Sequence, residues 1–360
     1  MKSKVIYDSC QNVELLNNNF AECNLKEMLK ARKYIVKKHF EGVPKRDDFE
    51  IVEFVLPALK LGEVLVKTEW ISVDPYLRAR NAMYRLPFDQ FSSQIGQVIE
   101  SHHNKYPVGT KIVSHIGWCD YGIVDMNEEE PLRTYKLPDF EALPTSYGIG
   151  VLGRPGATAY FGLLDICKPK FGETVVVTGA AGAVGSLVGQ IAKIQGCRVI
   201  GFTGSDKKVR ILEDELGFDF AFNYKTVDIS EVLKNAAPYG VDCYFDNVGG
   251  EISSVIIKEM NTFGRVACCG SISSYNDNPD KMSKASIVQP FIAGKQIQLE
   301  GFNVSRFADR WHEALPVIVN WIKTGQLKVK EHVTIGFDNV FGAFVGMLAG
   351  ENVGKAVVRM

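Results

Sequence analysis

The sequence predicts an α/β protein in which a doubly wound, parallel six-stranded sheet is joined to a smaller, mostly β domain. Three observations carry this. The β-branched run Thr174-Val-Val-Val-Thr178 meets the turn Gly179-Ala-Ala-Gly-Ala-Val-Gly185-Ser186, and a helical pattern follows at once. Five further apolar runs alternate with helical stretches after it, the pattern of parallel strands with crossover helices. Residues 32–150, by contrast, hold only short β-like runs punctuated by Gly and Pro.

The glycine turn is the strongest local signal. Small residues let the backbone approach a dinucleotide pyrophosphate, and the N–H groups at the helix start point at it. Its spacing is GxxGxxG, with Ala180 where glycine is common. Val184, Leu187, Val188, Ile191 and Ile194 give the following helix one apolar face to lay on a sheet. The other expected strands are Arg198–Thr203, Phe220–Tyr224, Asp242–Asp246, Arg265–Cys269 and Gln298–Phe302. The expected helices between them are Asp206–Leu216, Ile229–Ala236 and Ile252–Phe263. In the β domain, strands are expected at Tyr34–Val36, Glu63–Lys67, Gly96–Ile99 and Lys111–Val113. Thr158–Leu164 and Leu315–Ile322 read as helices. Lys328–Ile335 and Lys355–Arg359 read as strands that could return to the first domain.

A chain of 360 residues suits two domains. The formal net charge of −1 offers no basic face for nucleic acid, and no apolar run reaches the length of a membrane span. The eight cysteines show no CxxC spacing, and several fall in core-like strands, which fits a reducing cytoplasm. The six histidines have no useful spacing with them, so no zinc or other metal site is expected. Residues 1–31 are polar-interrupted and carry acids, which fits neither a secretory nor an import peptide. They read as a disordered tail or as the product of an upstream start codon.

The tip of the second strand speaks to the cofactor. An NAD site wants an acid there for the ribose hydroxyls. The sequence instead gives Phe202-Thr-Gly-Ser-Asp-Lys-Lys208, a loop rich in hydroxyl and cationic donors suited to a 2′-phosphate.

Several stretches carry a family likeness. Glu63-Val-Leu-Val, Val73-Asp-Pro-Tyr-Leu-Arg78, Gly156–Gly162 and Ala180–Ser186 resemble zinc-free medium-chain reductases. Phe222-Asn-Tyr-Lys225, Asp242–Glu251 and Cys269-Gly-Ser-Ile-Ser-Ser-Tyr275 narrow the resemblance to the prostaglandin reductases, also called leukotriene hydroxydehydrogenases or alkenal/one oxidoreductases. The likeness covers roughly residues 32–360 and leaves 1–31 outside.

The resemblance implies a GroES-like substrate domain at 32–152 and 319–360, a Rossmann domain at 153–318, and NADPH as hydride donor. It implies reduction of the activated double bond of α,β-unsaturated ketones and aldehydes, with hydride going to the β-carbon. The phosphate-binding turn would be Gly182, Ala183, Val184 and Gly185. Lys208 and Tyr224 match the adenosine-phosphate contacts, and Asn247 a cofactor contact past the fourth strand. Cys269, Gly270, Ser271, Ile272, Ser273, Ser274 and Tyr275 match the loop that cradles the nicotinamide half. Phe302, Asn303 and Val304 match a further lining segment, and Asn352 a late one. Tyr275 is the catalytic candidate: a phenol O–H beside the carbonyl oxygen would stabilise the enolate as it forms. Tyr76 stands as either a substrate contact or packing beside Pro75, and Arg78 as structural, paired with a carboxylate such as Asp74. The segment Asn276–Ala285 departs from the family, which leaves the choice between prostanoids and small alkenals open. A cytoplasmic homodimer is expected, with a monomer as the other form the family shows. A zinc-free quinone reductase, or an NADP-dependent oxidase of the leukotriene 12-hydroxyl, would use the same fold.

Overall fold

The computed structural model describes residues 29–277 and 284–360. The expectation for the N-terminal extension therefore lies almost wholly outside the described residues, as does the middle of the divergent segment after Asn276.

The chain opens in a small sheet. β1 (Lys30–Val36) lies between β2 (Phe49–Val55) and β4 (Phe88–Asp89), both antiparallel to it. The larger sheet is built on β3 (Glu63–Ser72), β5 (Gln94–Ser101), β6 (Lys111–Ser114), β7 (Tyr121–Asp125) and β8 (Tyr135–Lys136). β15 (Glu331–Ile335) and β16 (Lys355–Arg359) come back from the far end of the chain to complete it, in the order β15-β16-β3-β5-β6-β8, with β7 also on β3. Val357, Val358 and Arg359 pair with Ser72, Ile71 and Trp70. Tyr34, Phe49, Trp118 and Phe344 form an aromatic core between the small sheet, the large sheet and the helix Val340–Leu348.

The parallel sheet holds β9 (Thr174–Thr178), β10 (Arg198–Thr203), β11 (Phe220–Asn223), β12 (Val241–Asp246), β13 (Met260–Cys268) and β14 (Gln298–Gly301). Its order is β11-β10-β9-β12-β13-β14, so the connections reverse direction between β9 and β12. Both faces are covered, which is why β9 is apolar without alternation. Val175 and Val177 join the core under the helix Gly185–Ile194, and Val176 joins Phe202, Tyr244 and Ile256 on the other face.

Two elements differ from expectation. The helix expected over 252–263 runs Gly250–Lys258, and β13 takes up the chain at Met260. Met260 pairs with Val241; the register then shifts, Phe263 adopts φ 64°, and pairing resumes at Cys243↔Arg265. An apolar run that bulges carries no period by which to tell it from a helix. The helix Trp311–Lys323 runs across the expected boundary at 318.

Candidate active site

The reversal between β9 and β12 leaves a crevice beyond the carboxyl ends of the strands, where ligands of such sheets bind. Here it deepens into a cleft of about 640 Å³ between the two domains. The glycine turn forms its floor. Gly179 sits at φ 60°, and a Cβ on Gly185 would fall 2.3 Å from Gly179 O and 2.8 Å from Ala180 Cα. Only backbone without side chains packs this tightly at the helix start, which leaves its N–H groups open to a phosphate. The turn is also tied to the last strand: Gly354 N donates to Ala181 O at 2.8 Å, and Asn352 Nδ2 donates to Gly354 O at 2.7 Å.

Asp246 organises the tip of β12. One of its carboxylate oxygens accepts from Val248 N at 2.9 Å, Gly249 N at 2.8 Å and Thr178 Oγ1 at 3.2 Å; the other accepts from Ser253 Oγ at 2.6 Å. The turn held this way lets Asn247 Nδ2 donate to Thr178 O at 2.8 Å, so Asn247 ties together the two strand tips that flank the crevice.

Past β10, Gly204 keeps a gap that Tyr224 and Lys225 border: a Cβ there would meet the Tyr224 hydroxyl at 3.3 Å and Lys225 Cε at 3.6 Å. Lys208 completes this corner, its Nζ donating to Gly350 O at 2.6 Å. Burial and then the nearby Lys225 charge lower its pKa. Two ammonium groups and a phenol gathered around a glycine, with no acid turned to them, suit a dianionic phosphate. Asp206, which opens the helix Asp206–Arg210, accepts instead from Asn223 Nδ2 at 2.8 Å.

At the other end the loop after β13 lays Tyr275 back over its own start. Ser271 N donates to the Tyr275 hydroxyl at 3.2 Å, which leaves the phenolic hydrogen free to point at another acceptor. Burial raises the pKa of this half-buried phenol, so it stays protonated at neutral pH. Tyr76 stands at the same end. Its hydroxyl is buried and has no hydrogen-bond partner among the described residues, and burial raises its pKa well beyond the ordinary phenol value.

Of the residues matched to cofactor or substrate contacts, all but two line this cleft: Tyr76, the turn from Gly182 to Gly185, Lys208, Tyr224, Asn247, Cys269, Gly270, Ile272, Ser273, Tyr275, Phe302, Asn303, Val304 and Asn352. Ser271 and Ser274 do not. Their hydroxyls lie 2.9 Å apart, and Ser274 Oγ also reaches Ser271 O at 2.9 Å, so they brace the loop from within. Arg78 does not pair with Asp74. Its Nε donates to Gly42 O and Asn276 Oδ1, both at 3.1 Å, and Asp74 takes Lys355 as partner at 3.1 Å. Sequence reasoning missed Lys225, Arg80, Arg154 and Lys355. Lys225 sat inside a quoted motif without a role, and the other three gave no local signal. Among the described residues, no cluster of His, Cys, Asp and Glu is placed to hold a metal ion.

Fold and cleft together define a two-domain nucleotide-dependent oxidoreductase. A family model for the N-terminal domain of oxidoreductases matches residues 32–132, and one described as zinc-binding dehydrogenase matches residues 183–320. Prostaglandin reductase 1 of Oryctolagus cuniculus is 47% identical over 334 residues, 91% of this chain and 93% of that protein. The NADP(+)-dependent 2-alkenal reductase of Nicotiana tabacum is 38% identical and covers 93% of this chain and 98% of its own. The crystal structure of CurA from Vibrio vulnificus in complex with NADPH superposes with a TM-score of 0.85 at 34% identity, over 91% of this chain and 99% of that one. The chain belongs to the prostaglandin reductase family of zinc-free medium-chain dehydrogenases/reductases.

Proposed function

We propose that this protein is an NADPH-dependent reductase of the activated carbon–carbon double bond of α,β-unsaturated ketones and aldehydes. The observation that carries the reading is a single cleft that joins a glycine-floored pyrophosphate site, a cationic corner without an acid, and a protonated tyrosine with its hydrogen free. NADPH fits this lining. The turn Gly182–Gly185 would take the pyrophosphate, Lys208, Tyr224 and Lys225 the 2′-phosphate, and Asn247 with the Cys269–Tyr275 loop the nicotinamide half.

When bound there, NADPH supplies hydride to the β-carbon of the substrate. The negative charge then develops on the carbonyl oxygen, where a preorganised donor acts most strongly. Tyr275 is that donor in this reading, because its oxygen already accepts from Ser271 N and its hydrogen has no acceptor among the described residues. Tyr76, with an unpaired hydroxyl in the same wall, contacts the substrate. The α-carbon takes its proton from solvent.

The homodimer expected from the family has a surface to use. β14 is an open edge of the parallel sheet, with Leu299 and nearby Phe263 exposed. A cytoplasmic setting, with the six described cysteines free, belongs to the same reading; no helix among the described residues is long and apolar enough to cross a membrane.

The test is NADPH oxidation by the purified protein with a 15-oxo-prostanoid, a short alkenal and a quinone in parallel. Consumption with the enone or enal, giving the saturated carbonyl product, supports the proposal and ranks the two substrates. Consumption with the quinone alone makes it a quinone reductase, and no consumption with any of them overturns the reductase reading.

A further inference from the structure

The two tyrosines of the cleft come from different domains. Tyr76 opens the short helix Tyr76–Ala79 of the β domain, and Tyr275 follows the turn Ile272–Ser274 past β13 of the parallel sheet. A hydrogen bond crosses from one domain to the other beside both of them. Arg78, two residues after Tyr76, donates from Nε to Oδ1 of Asn276, the residue after Tyr275, at 3.1 Å. The two partners stand 198 positions apart in the chain.

Arg78 is held firmly on its own side. It is only 7% exposed. Its Nε also donates to Gly42 O at 3.1 Å, and Nη2 donates to Phe40 O at 3.3 Å. The guanidinium carbon lies 5.7 Å from the centre of the Phe40 ring. The loop that supplies these contacts is pinned in turn by the buried Asn81, whose Oδ1 accepts from Phe40 N at 2.9 Å. A planar guanidinium gripped at two positions and packed on a ring cannot swing to follow a moving partner. It therefore dictates where Asn276 sits.

The loop that carries Tyr275 is tied to its own domain at its start. Ser273 N and Ser273 Oγ both donate to Val248 O, at 3.1 and 2.6 Å, and Ile272 N donates to Asn247 O at 3.3 Å. Just past Tyr275 the anchor comes from the other domain, through Asn276. The phenol is thus clamped between the strand tips on one side and the β domain on the other. A hydrogen-bond donor stabilises a developing oxyanion only when it is aimed where the charge will form, and a misplacement of about 1 Å can cost a hundredfold in rate. We infer that the Arg78–Asn276 bond sets the position of Tyr275 relative to Tyr76 and to a substrate lying between them, which makes Arg78 and Asn276 positioning residues of the reduction. The inference rests on the reductase reading and adds how a donor on one domain is aimed at a substrate walled by the other.

Asn276→Ala tests this without stranding a buried charge, because Arg78 keeps the Phe40 and Gly42 carbonyls. With a short-chain enone, kcat is expected to fall about tenfold. NADPH affinity, measured by cofactor fluorescence, and the thermal unfolding midpoint stay close to the wild-type values. Asn276→Asp still offers the guanidinium an oxygen acceptor and retains most of the wild-type kcat. In a Tyr275→Phe background, Asn276→Ala lowers kcat no further, because the hydroxyl it would misplace is already gone. An unchanged kcat in Asn276→Ala overturns the inference while leaving the reductase intact. So does a loss of kcat that Asn276→Asp shares in full, one matched by an equal loss of NADPH affinity, or one that adds undiminished to the effect of Tyr275→Phe. A wild-type protein that consumes no NADPH with the enone is the separate result that removes the reductase reading, and the inference with it.

Discussion

Lys355 is a buried cation at the seam of the molecule, and replacing it with Met isolates what that charge does. Its side chain is 4% exposed. The ammonium donates to Val73 O at 2.6 Å and Ala356 O at 2.8 Å and pairs with Asp74 Oδ1 at 3.1 Å. Its neighbour Gly354 is bonded to the glycine turn through Ala181 O, so one dipeptide ties the phosphate site to the loop that presents Tyr76. Met keeps the stem volume and removes the charge. Asp74, whose side chain is 15% exposed, is then left with only Ser72 Oγ as a donor, and two carbonyls lose a charged donor. Breaking such a pair from one side costs about 3–4 kcal/mol, because the surviving charge stays desolvated. Guanidinium-induced unfolding, followed by fluorescence of the buried Trp118 in the same domain, reads the loss. Adding Asp74→Asn removes the stranded charge, so the double variant should recover about 1–2 kcal/mol relative to simple addition of the single effects. A loss below about 1 kcal/mol in Lys355→Met, or strict additivity in the cycle, would refute the assignment of this pair as a coupled, buried contact.

Three further outcomes follow from named contacts. Tyr275→Phe should lower kcat on an enone about a hundredfold while NADPH affinity changes far less; equal turnover would reduce Tyr275 to packing. Lys208→Ala and Lys225→Ala should each weaken NADPH binding about tenfold without weakening NADH binding. An unchanged NADPH-to-NADH preference in both would show that the 2′-phosphate lies elsewhere. His115 should make the fold acid-sensitive: burial, then the charges of Arg133 and Arg154, lower its pKa from 6.5 to about 4. Between those values the unfolded chain binds a proton that the folded chain refuses. The contribution is therefore complete above pH 6.5 and is lost as the pH falls towards 4, at a cost of roughly 3 kcal/mol. His115→Gln should flatten the stability profile across that window, and an identical acid slope in the variant would contradict it.

The Rossmann half was legible because its signals are local. Thr174–Thr178, Arg198–Thr203 and Ile229–Ala236 fall where the sequence placed them, since buried parallel strands are continuous apolar runs and Asp228 caps its helix by accepting from Glu231 N. The glycine turn was legible too, because close backbone approach leaves only small residues a place. The bulged start of β13 was not, since pairing with β12 and not the side-chain period decides it.

The sequence by itself determined a dinucleotide fold, a strand tip without an acid, and a set of motif residues that lie on one cleft. It could not determine the charge balance of that cleft. Lys355 and Arg154 lie far in the chain from Asp74 and Arg80, and nothing in the local sequence says which of these charges are paired. Only the return of β16 onto β3 buries Lys355 beside Asp74, and only the closing of the two domains leaves Arg80 and Arg154 in the wall without partners. Helix caps, tight turns and apolar periods act over a few residues and leave a mark on local sequence. Charge pairing acts through space, and the tertiary fold decides which charges meet and which are left to meet a ligand.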